Sequence, residues 1–207
     1  YLHNLEKRVL QNADQILVVG KLMKEEFSAI APDARIEIIS NGYDSKIDNN
    51  VVLDEKFSIL HVGSINADRN HESFYKAIER LLKDNEELKD FLEIRFIGKT
   101  DSSARDNIQK YKLDAFFKFI PYIPYNQISR VQQSAHLLYL PLNNTPNAKG
   151  ILTGKFFEYL AAKRPILAQG PLDGDVADIL KETHAGSIVD FNDEKALYEK
   201  IASQFLK

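Results

Sequence analysis

The sequence predicts an α/β fold, a doubly wound, mostly parallel six-stranded sheet preceded by a smaller helix–strand–helix–strand unit. Three observations carry that expectation. Short apolar runs alternate with segments of helical periodicity along most of the chain. The apolar runs are continuous Val/Ile/Leu/Phe stretches without polar alternation, so they read as strands buried on both faces, which implies a parallel sheet covered by helices. A polar stretch near the amino-terminal side separates two such strands from the six that follow.

The elements follow in order. Leu2 to Ala13 has Leu5, Val9 and Leu10 at spacings that place them on one helix face. Ile16 to Val19 is a short strand, and Lys21 to Ala31 a helix closed by Pro32. Arg35 to Ile39 is a strand ending near the turn dipeptide Asn41-Gly42. Residues 45–56, with Asn49-Asn50 in their middle, have a linker's composition, so the boundary falls there: 1–44, linker 45–56, main domain 57–207. In the main domain, strands are expected at Ser58–Val62, Glu93–Ile97, Phe117–Ile120, Leu137–Leu140, Pro165–Ala168 and Ser187–Val189. Helices are expected at Glu72–Lys83, Ser103–Tyr111, Asn126–Ser134, Gly154–Ala162, Val176–Glu182 and Glu194–Phe205. Right-handed crossovers then favour the strand order 3-2-1-4-5-6.

Composition narrows the function. The 207 residues are 44% hydrophobic and 28% charged, the profile of a globular protein. With 27 Lys and Arg against 30 Asp and Glu, the net charge of −3 argues against a nucleic-acid binder working by bulk charge. The absence of Cys excludes disulfides, thiolate catalysis, zinc fingers and iron–sulfur clusters in these residues. No apolar run approaches the roughly 20 residues of a membrane helix, and no signal-peptide pattern is visible. The chain opens at Tyr1 and its single Met is Met23, so a piece of something longer is expected.

In the 3-2-1-4-5-6 order, ligands bind where the crossovers of the first and fourth strands diverge. The first strand ends at Gly63, followed by Ser64 to Asn70, and the fourth is followed by Pro141 to Thr153. The second loop feeds a helix whose natural N-cap is Thr153. Free N–H groups and a partial positive charge at that helix end suit a phosphate. Lys155, in the first turn, opposes the helix dipole and is best tolerated beside an anion, whereas Lys149 reads as a solvated lysine. Glu158 shares a face with Lys155. An ion pair between them and a carboxylate accepting from a ribose diol fit that spacing equally. Arg69, in the opposite loop, can clamp a diphosphate bidentately. A full G-x-G-x-x-G is absent, against a nicotinamide or flavin enzyme. His61 reads as a core histidine and His71 as a crevice candidate.

Thr153-Gly154-Lys155-Phe156-Phe157-Glu158-Tyr159-Leu160-Ala161-Ala162-Lys163-Arg164-Pro165-Ile166-Leu167-Ala168 closely resembles the donor-site segment of group 1 retaining glycosyltransferases, most of all the bacterial polysaccharide branch. Ala13-Asp14-Gln15-Ile16, Asn41-Gly42-Tyr43-Asp44, Val62-Gly63 with Arg69, and Ala185-Gly186 to Val189 extend the resemblance over most of the chain. It implies a GT-B enzyme in which residues 57–207 form the Rossmann-like domain that binds a nucleotide-sugar donor. Residues 1–44 would be the end of an acceptor-side domain that meets a sugar, lipid-linked or protein acceptor. Carried over by position, Arg69 and Lys155 would neutralise the departing diphosphate. Gly63, Ser64, Leu152, Thr153 and the helix N-terminus would line it, Glu158 would hold the ribose, and the base would rest near Pro121 to Ile123, at Tyr122. No metal or other cofactor is implied, and the expected setting is cytoplasmic, extending to the inner membrane face.

The chain departs from the family pattern at two places. Gly150 stands where many relatives have the first Glu of E-x7-E, and Ser64 where they have the Arg of a V-G-R loop. None of His3, His61, His71, His136 or His184 matches the family's acceptor-side catalytic histidine. Asp173-Gly174-Asp175 mimics an Asp-x-Asp metal clamp but precedes a helix, where capping and turn chemistry account for it. Two other functions share such a cleft: a nucleotide-sugar 2-epimerase, which needs carboxylates across it, and a binding module without chemistry.

Overall fold

The structure is a computed structural model and describes residues 2–44, 47–48 and 50–206. Positions 45, 46 and 49 of the expected linker, and Tyr1 and Lys207 at the ends, lie outside the described residues. The first unit comprises α1 (Leu2–Asn12), β1 (Ile16–Val18), α2 (Lys21–Ile30) and β2 (Ile36–Ile38). β1 and β2 pair in parallel, Ile16 opposite Ile36, over a small core of Leu10, Ile16, Val18, Ala31 and Ile36. The expected inward face of α1 is only partly inward. Leu10 is buried, but Leu5 and Val9 are exposed, because the described residues cover one edge of the apolar stripe.

The main sheet is built from β3 (Phe57–Val62), β4 (Leu92–Ile97), β5 (Phe117–Ile120), β6 (Leu137–Pro141), β7 (Ile166–Gln169) and β8 (Gly186–Val189). Its helices are α3 (Glu72–Asp84), α4 (Leu88–Phe91), α5 (Ser102–Lys110), α6 (Tyr125–Ser134), α7 (Gly154–Ala162), α8 (Asp175–Thr183) and α9 (Glu194–Phe205). The order across the sheet is β5-β4-β3-β6-β7-β8, the expected 3-2-1-4-5-6, and every pairing is parallel. Only α4 has no counterpart in the sequence reading. It is a single turn in a polar stretch, too short for periodicity, and is pinned by buried Leu88.

Strands β3, β6 and β7 are buried throughout, while the edge strands β5 and β8 are partly exposed. That is why the interior strands read as unbroken apolar runs. Side chains alternate between two cores. Ile59, Ile94, Leu137 and Leu167 pack under α3, α5 and α9 with Phe74, Ile78, Ile108 and Leu197. Leu60, Leu138, Ile166 and Ala168 pack under α7 and α8 with Phe156, Tyr159, Val176 and Leu180.

The first unit docks on the main sheet through α2. Gly20 is the N-cap of α2 and has no side chain to cap it. Asp175, from the first turn of α8, does so instead: both carboxylate oxygens lie 3.3 Å from the Leu22 N–H. A Cβ on Gly20 would collide with that carboxylate. Asn41 Nδ2 also donates to the Leu152 carbonyl at 3.4 Å, just ahead of α7. These contacts correct the reading of Asp173-Gly174-Asp175. Its acids do not cap the helix they precede, whose N-cap is Gly174 without a side-chain bond. Asp173 pairs with Lys149 at 2.6 Å, and Asp175 serves a helix 153 residues away.

Asp175→Ala should lower the unfolding free energy by about 1–2 kcal/mol through loss of the cap. Gly20→Ala should also destabilise, and the double variant should lose less than the sum, since the collision disappears with the carboxylate. Urea denaturation of the three variants checks this.

Candidate functional site

β3 and β6 are neighbours whose crossovers leave to opposite faces, so their carboxyl ends diverge around a crevice. Three hydrogen bonds tie the two loops there. The Asn144 N–H donates to the Asp68 carbonyl at 2.8 Å, Arg69 Nε donates to Asn143 Oδ1 at 2.6 Å, and His71 Nε2 donates to the Leu142 carbonyl at 2.8 Å. Arg69 Nη1 adds a longer bond to the Ser64 carbonyl at 3.4 Å. Arg69 is thus held by its inner edge, which leaves most of its fork for a ligand. His71 is removed from the list of crevice candidates: it is buried, tilted against Phe191, and its ring secures the loop. Burial lowers its pKa and the Leu142 bond opposes that.

Lys155 enters from α7 and lies across the end of β3. Gly63 has φ +118, and a Cβ there would lie 2.5 Å from Lys155 Nζ, so only glycine leaves room for the ammonium. The Lys155 pKa is pushed down to about 7, chiefly by burial, with the Arg69 charge adding to the shift and Glu158 opposing it. Lys155 and Glu158 form no ion pair, so of the two arrangements the spacing allowed, the i,i+3 pair is absent. Lys149, expected as a solvated lysine, is exposed and paired with Asp173.

At the mouth of α7, Thr153 occupies the N-cap position but makes no capping bond, contrary to expectation. Its Oγ1 is buried without a partner. In the first turn the Phe156 N–H donates to the Thr153 carbonyl at 3.0 Å, which leaves the Gly154 and Lys155 N–H groups without an intrahelical partner. Donors, an orphaned hydroxyl and two cations therefore converge on one spot, an arrangement suited to an anion. Leu152 is buried just before it, and Ser64 is exposed on the opposite loop. One turn into α7, Glu158 Oε2 accepts from Gln132 Nε2 of α6 at 3.3 Å, and Gln132 is 1% exposed. Tyr122 lies in the loop after β5, 81% exposed and free to stack on a planar group.

The structure thus brings Gly63, Ser64, Arg69, Leu152, Thr153, Lys155 and Glu158 to one end of the sheet, with Tyr122 in the loop after a neighbouring strand. Sequence patterning does not single out Gln132 or Asn143. Each is one polar residue among several in its segment, and only the packing shows what it holds. Among the described residues no group of three or more His, Asp or Glu is placed for a metal ion. A hollow of about 780 Å3 opens at the opposite end of the sheet, where strands begin. Lys163 lines it at the carboxyl end of α7, where a cation complements the helix carbonyls, so it belongs to the surface structure.

Comparison with known proteins completes the site's description. Residues 44–206 match the family described as Glycosyl transferases group 1. No curated protein matches the chain in sequence. Among solved structures, a sucrose-phosphate synthase from Thermosynechococcus elongatus superposes with TM-score 0.76 at 17% identity, over 99% of this chain and 52% of that one. WaaG, a glycosyltransferase involved in lipopolysaccharide biosynthesis, gives 0.73 at 15% identity, over 92% and 53%. The pneumococcal O-GlcNAc transferase GtfA, in complex with UDP and GlcNAc, gives 0.73 at 13% identity, over 99% and 40%. The chain thus spans about half the length of the structures it matches, and at these identities the likeness concerns the fold, the Rossmann-like domain of GT-B enzymes. With the family match covering most of its length, the chain belongs to the group 1 glycosyltransferases.

Proposed function

We propose that this chain is the donor-binding part of a retaining glycosyltransferase that moves a sugar from a nucleoside diphosphate sugar to an acceptor in polysaccharide or glycoconjugate synthesis. Residues 57–207 bind the donor, residues 1–44 belong to the acceptor side, and 45–56 connect them. The observation that carries the reading is the convergence of Lys155, Arg69, the unpartnered Thr153 hydroxyl and the α7 N-terminus on one crevice. In the reaction the bond between the anomeric carbon and the diphosphate oxygen breaks, and its electron pair leaves with the diphosphate. The acceptor hydroxyl oxygen bonds the anomeric carbon, and its proton passes to an oxygen of the departing diphosphate. Negative charge grows on the leaving group, and fixed positive groups stabilise it most at that moment.

Each residue has a separate task in this reading. Arg69 and Lys155 neutralise the diphosphate, and Thr153 with the first α7 amides donates to its oxygens. Gly63 and Ser64 keep the floor low enough for the phosphates to approach. Glu158, oriented by Gln132, accepts from the ribose hydroxyls, and Tyr122 lies under the base. The side chains supply charge that a metal supplies elsewhere. Donor binding by a bacterial, cytoplasmic enzyme working at the inner membrane face fits this chemistry. GtfA, a structural neighbour, is in complex with UDP, which makes UDP the first ligand to test.

Calorimetric titration with UDP, GDP and ADP should detect weak binding of at least one. Glu158→Ala and Arg69→Ala should each weaken it by roughly tenfold or more, the loss of charge-assisted hydrogen bonds. Undiminished affinity in both variants would remove the site assignment.

Burial beside Arg69 makes the charged form of Lys155 costly. Its pKa of about 7 lies below the usual lysine value, so between about pH 7 and pH 10 the unfolded chain holds a proton that the folded chain lacks. Stability should therefore rise with pH across that window on its account. Lys155→Met should abolish that slope, raise stability at pH 7 by on the order of 1 kcal/mol, and weaken UDP binding. Denaturation curves at pH 6, 7.5 and 9 check the sign.

A further inference from the structure

Beneath Lys155 lies a polar contact for which donor binding, as described above, has no use. His61 is fully buried on β3, its ring edge-on to Phe96 and Tyr139 at 5.8 and 6.4 Å. Its Nδ1 lies 3.1 Å from the Tyr139 carbonyl. A carbonyl only accepts, so Nδ1 carries the proton and Nε2 presents its lone pair. That lone pair faces Lys155 Nζ at 3.5 Å. We propose that His61 is a positioning residue: its Nε2 accepts from the Lys155 ammonium and holds it on the crevice floor, and arrival of a diphosphate completes the charge by proton uptake. The uptake half of this proposal rests on the donor reading; the positioning half does not.

The surroundings leave His61 as the group suited to this task. The groups acting on Lys155 come from three segments. β3 supplies His61, and the turn after it supplies Arg69, which repels the ammonium. α7 itself supplies Glu158, which attracts it without forming an ion pair. Without a neutral acceptor below, the ammonium would keep its burial and the Arg69 repulsion with no bond on the floor to offset them, so its charged form would be disfavoured further. His61 suits the role because it stays neutral: burial, then the Lys155 charge, hold its pKa well below the ordinary histidine value.

The positioning half is tested without any ligand. Lysine side chains are 13C-labelled and the Lys155 signal, assigned by its loss in Lys155→Met, is titrated by NMR. His61→Phe keeps an aromatic ring but removes the acceptor, so the Lys155 midpoint should fall below that of the unaltered protein. His61→Gln, which can present an oxygen near the Nε2 position, should restore most of it. If Phe disrupts the core, His61→Leu makes the same comparison. An unchanged or raised midpoint in the variant lacking the acceptor overturns the proposal, whatever its melting temperature.

The uptake half is tested by UDP calorimetry at pH 7 in two buffers of different ionisation enthalpy, with Lys155→Met as the baseline for the nucleotide's own phosphates. With the free lysine pKa near 7, the unaltered chain should take up about half a proton per UDP. His61→Phe should bind roughly threefold to tenfold more weakly and take up more, approaching one. Equal uptake in both overturns the coupling. UDP that fails to bind at all, alongside a shifted lysine midpoint, sinks the donor reading and the coupling but leaves His61 as the support of Lys155.

Discussion

Strands β3 and β6 lie side by side and send their crossovers to opposite faces of the sheet, and the site depends on that constraint. No helix crosses above the divergence, so the ends of both strands stay open. Gly63 finishes one strand and the loop leading to α7 follows the other. The loops on either side would drift apart if left to themselves. Asn143, Asn144 and the Leu142 carbonyl bind Arg69, the Asp68 carbonyl and His71 across the gap, so the crevice has a fixed width before any ligand enters. Preorganisation of this kind fixes the charged groups in place before any ligand arrives.

The crevice also carries local costs of its own. A lysine is partly desolvated beside an arginine, and a threonine hydroxyl is buried with nothing to bond. Each would be unfavourable in a domain selected for stability alone. They lie together at the mouth of α7, where the helix end already favours an anion. Below them the packing is conventional, with Phe74 stacked on Tyr139 at 4.1 Å and a bonded run from Tyr139 through Gln169 to Ser73. The rigid floor makes the strained upper layer sustainable.

The first unit is tied to the same region. α2 rests beside the turn Ala148–Gly150, Asp175 caps it, and Asn41 reaches the Leu152 carbonyl next to the α7 N-cap. A displacement of α2 would therefore be felt at the segment that presents Thr153 and Lys155. The link between the two units joins the Asp175 cap to an apolar contact, in which Val19 packs against the main-domain core beside Leu152.

The amino-acid sequence by itself determined the elements, the strand order and the end of the sheet that holds the site. Unbroken apolar runs such as Leu137 to Leu140 read as interior strands, and chirality then leaves few ways to wind them. It also marked Arg69, Lys155 and Glu158, since a cation in the first turn of a helix contradicts local electrostatics. Tertiary structure alone decided the partners. Asp175 was legible as an acid before a helix, yet it caps a different helix, because the capping geometry is created by two segments meeting in space. His71 looked like a crevice residue and is a loop fastener; His61 looked like core and also supports the lysine. Gln132 and Asn143 gave no sign at all. Periodicity and spacing record which face a side chain occupies, whereas hydrogen-bond partners depend on ångström distances between residues far apart in the chain, and those exist only once the sheet has closed.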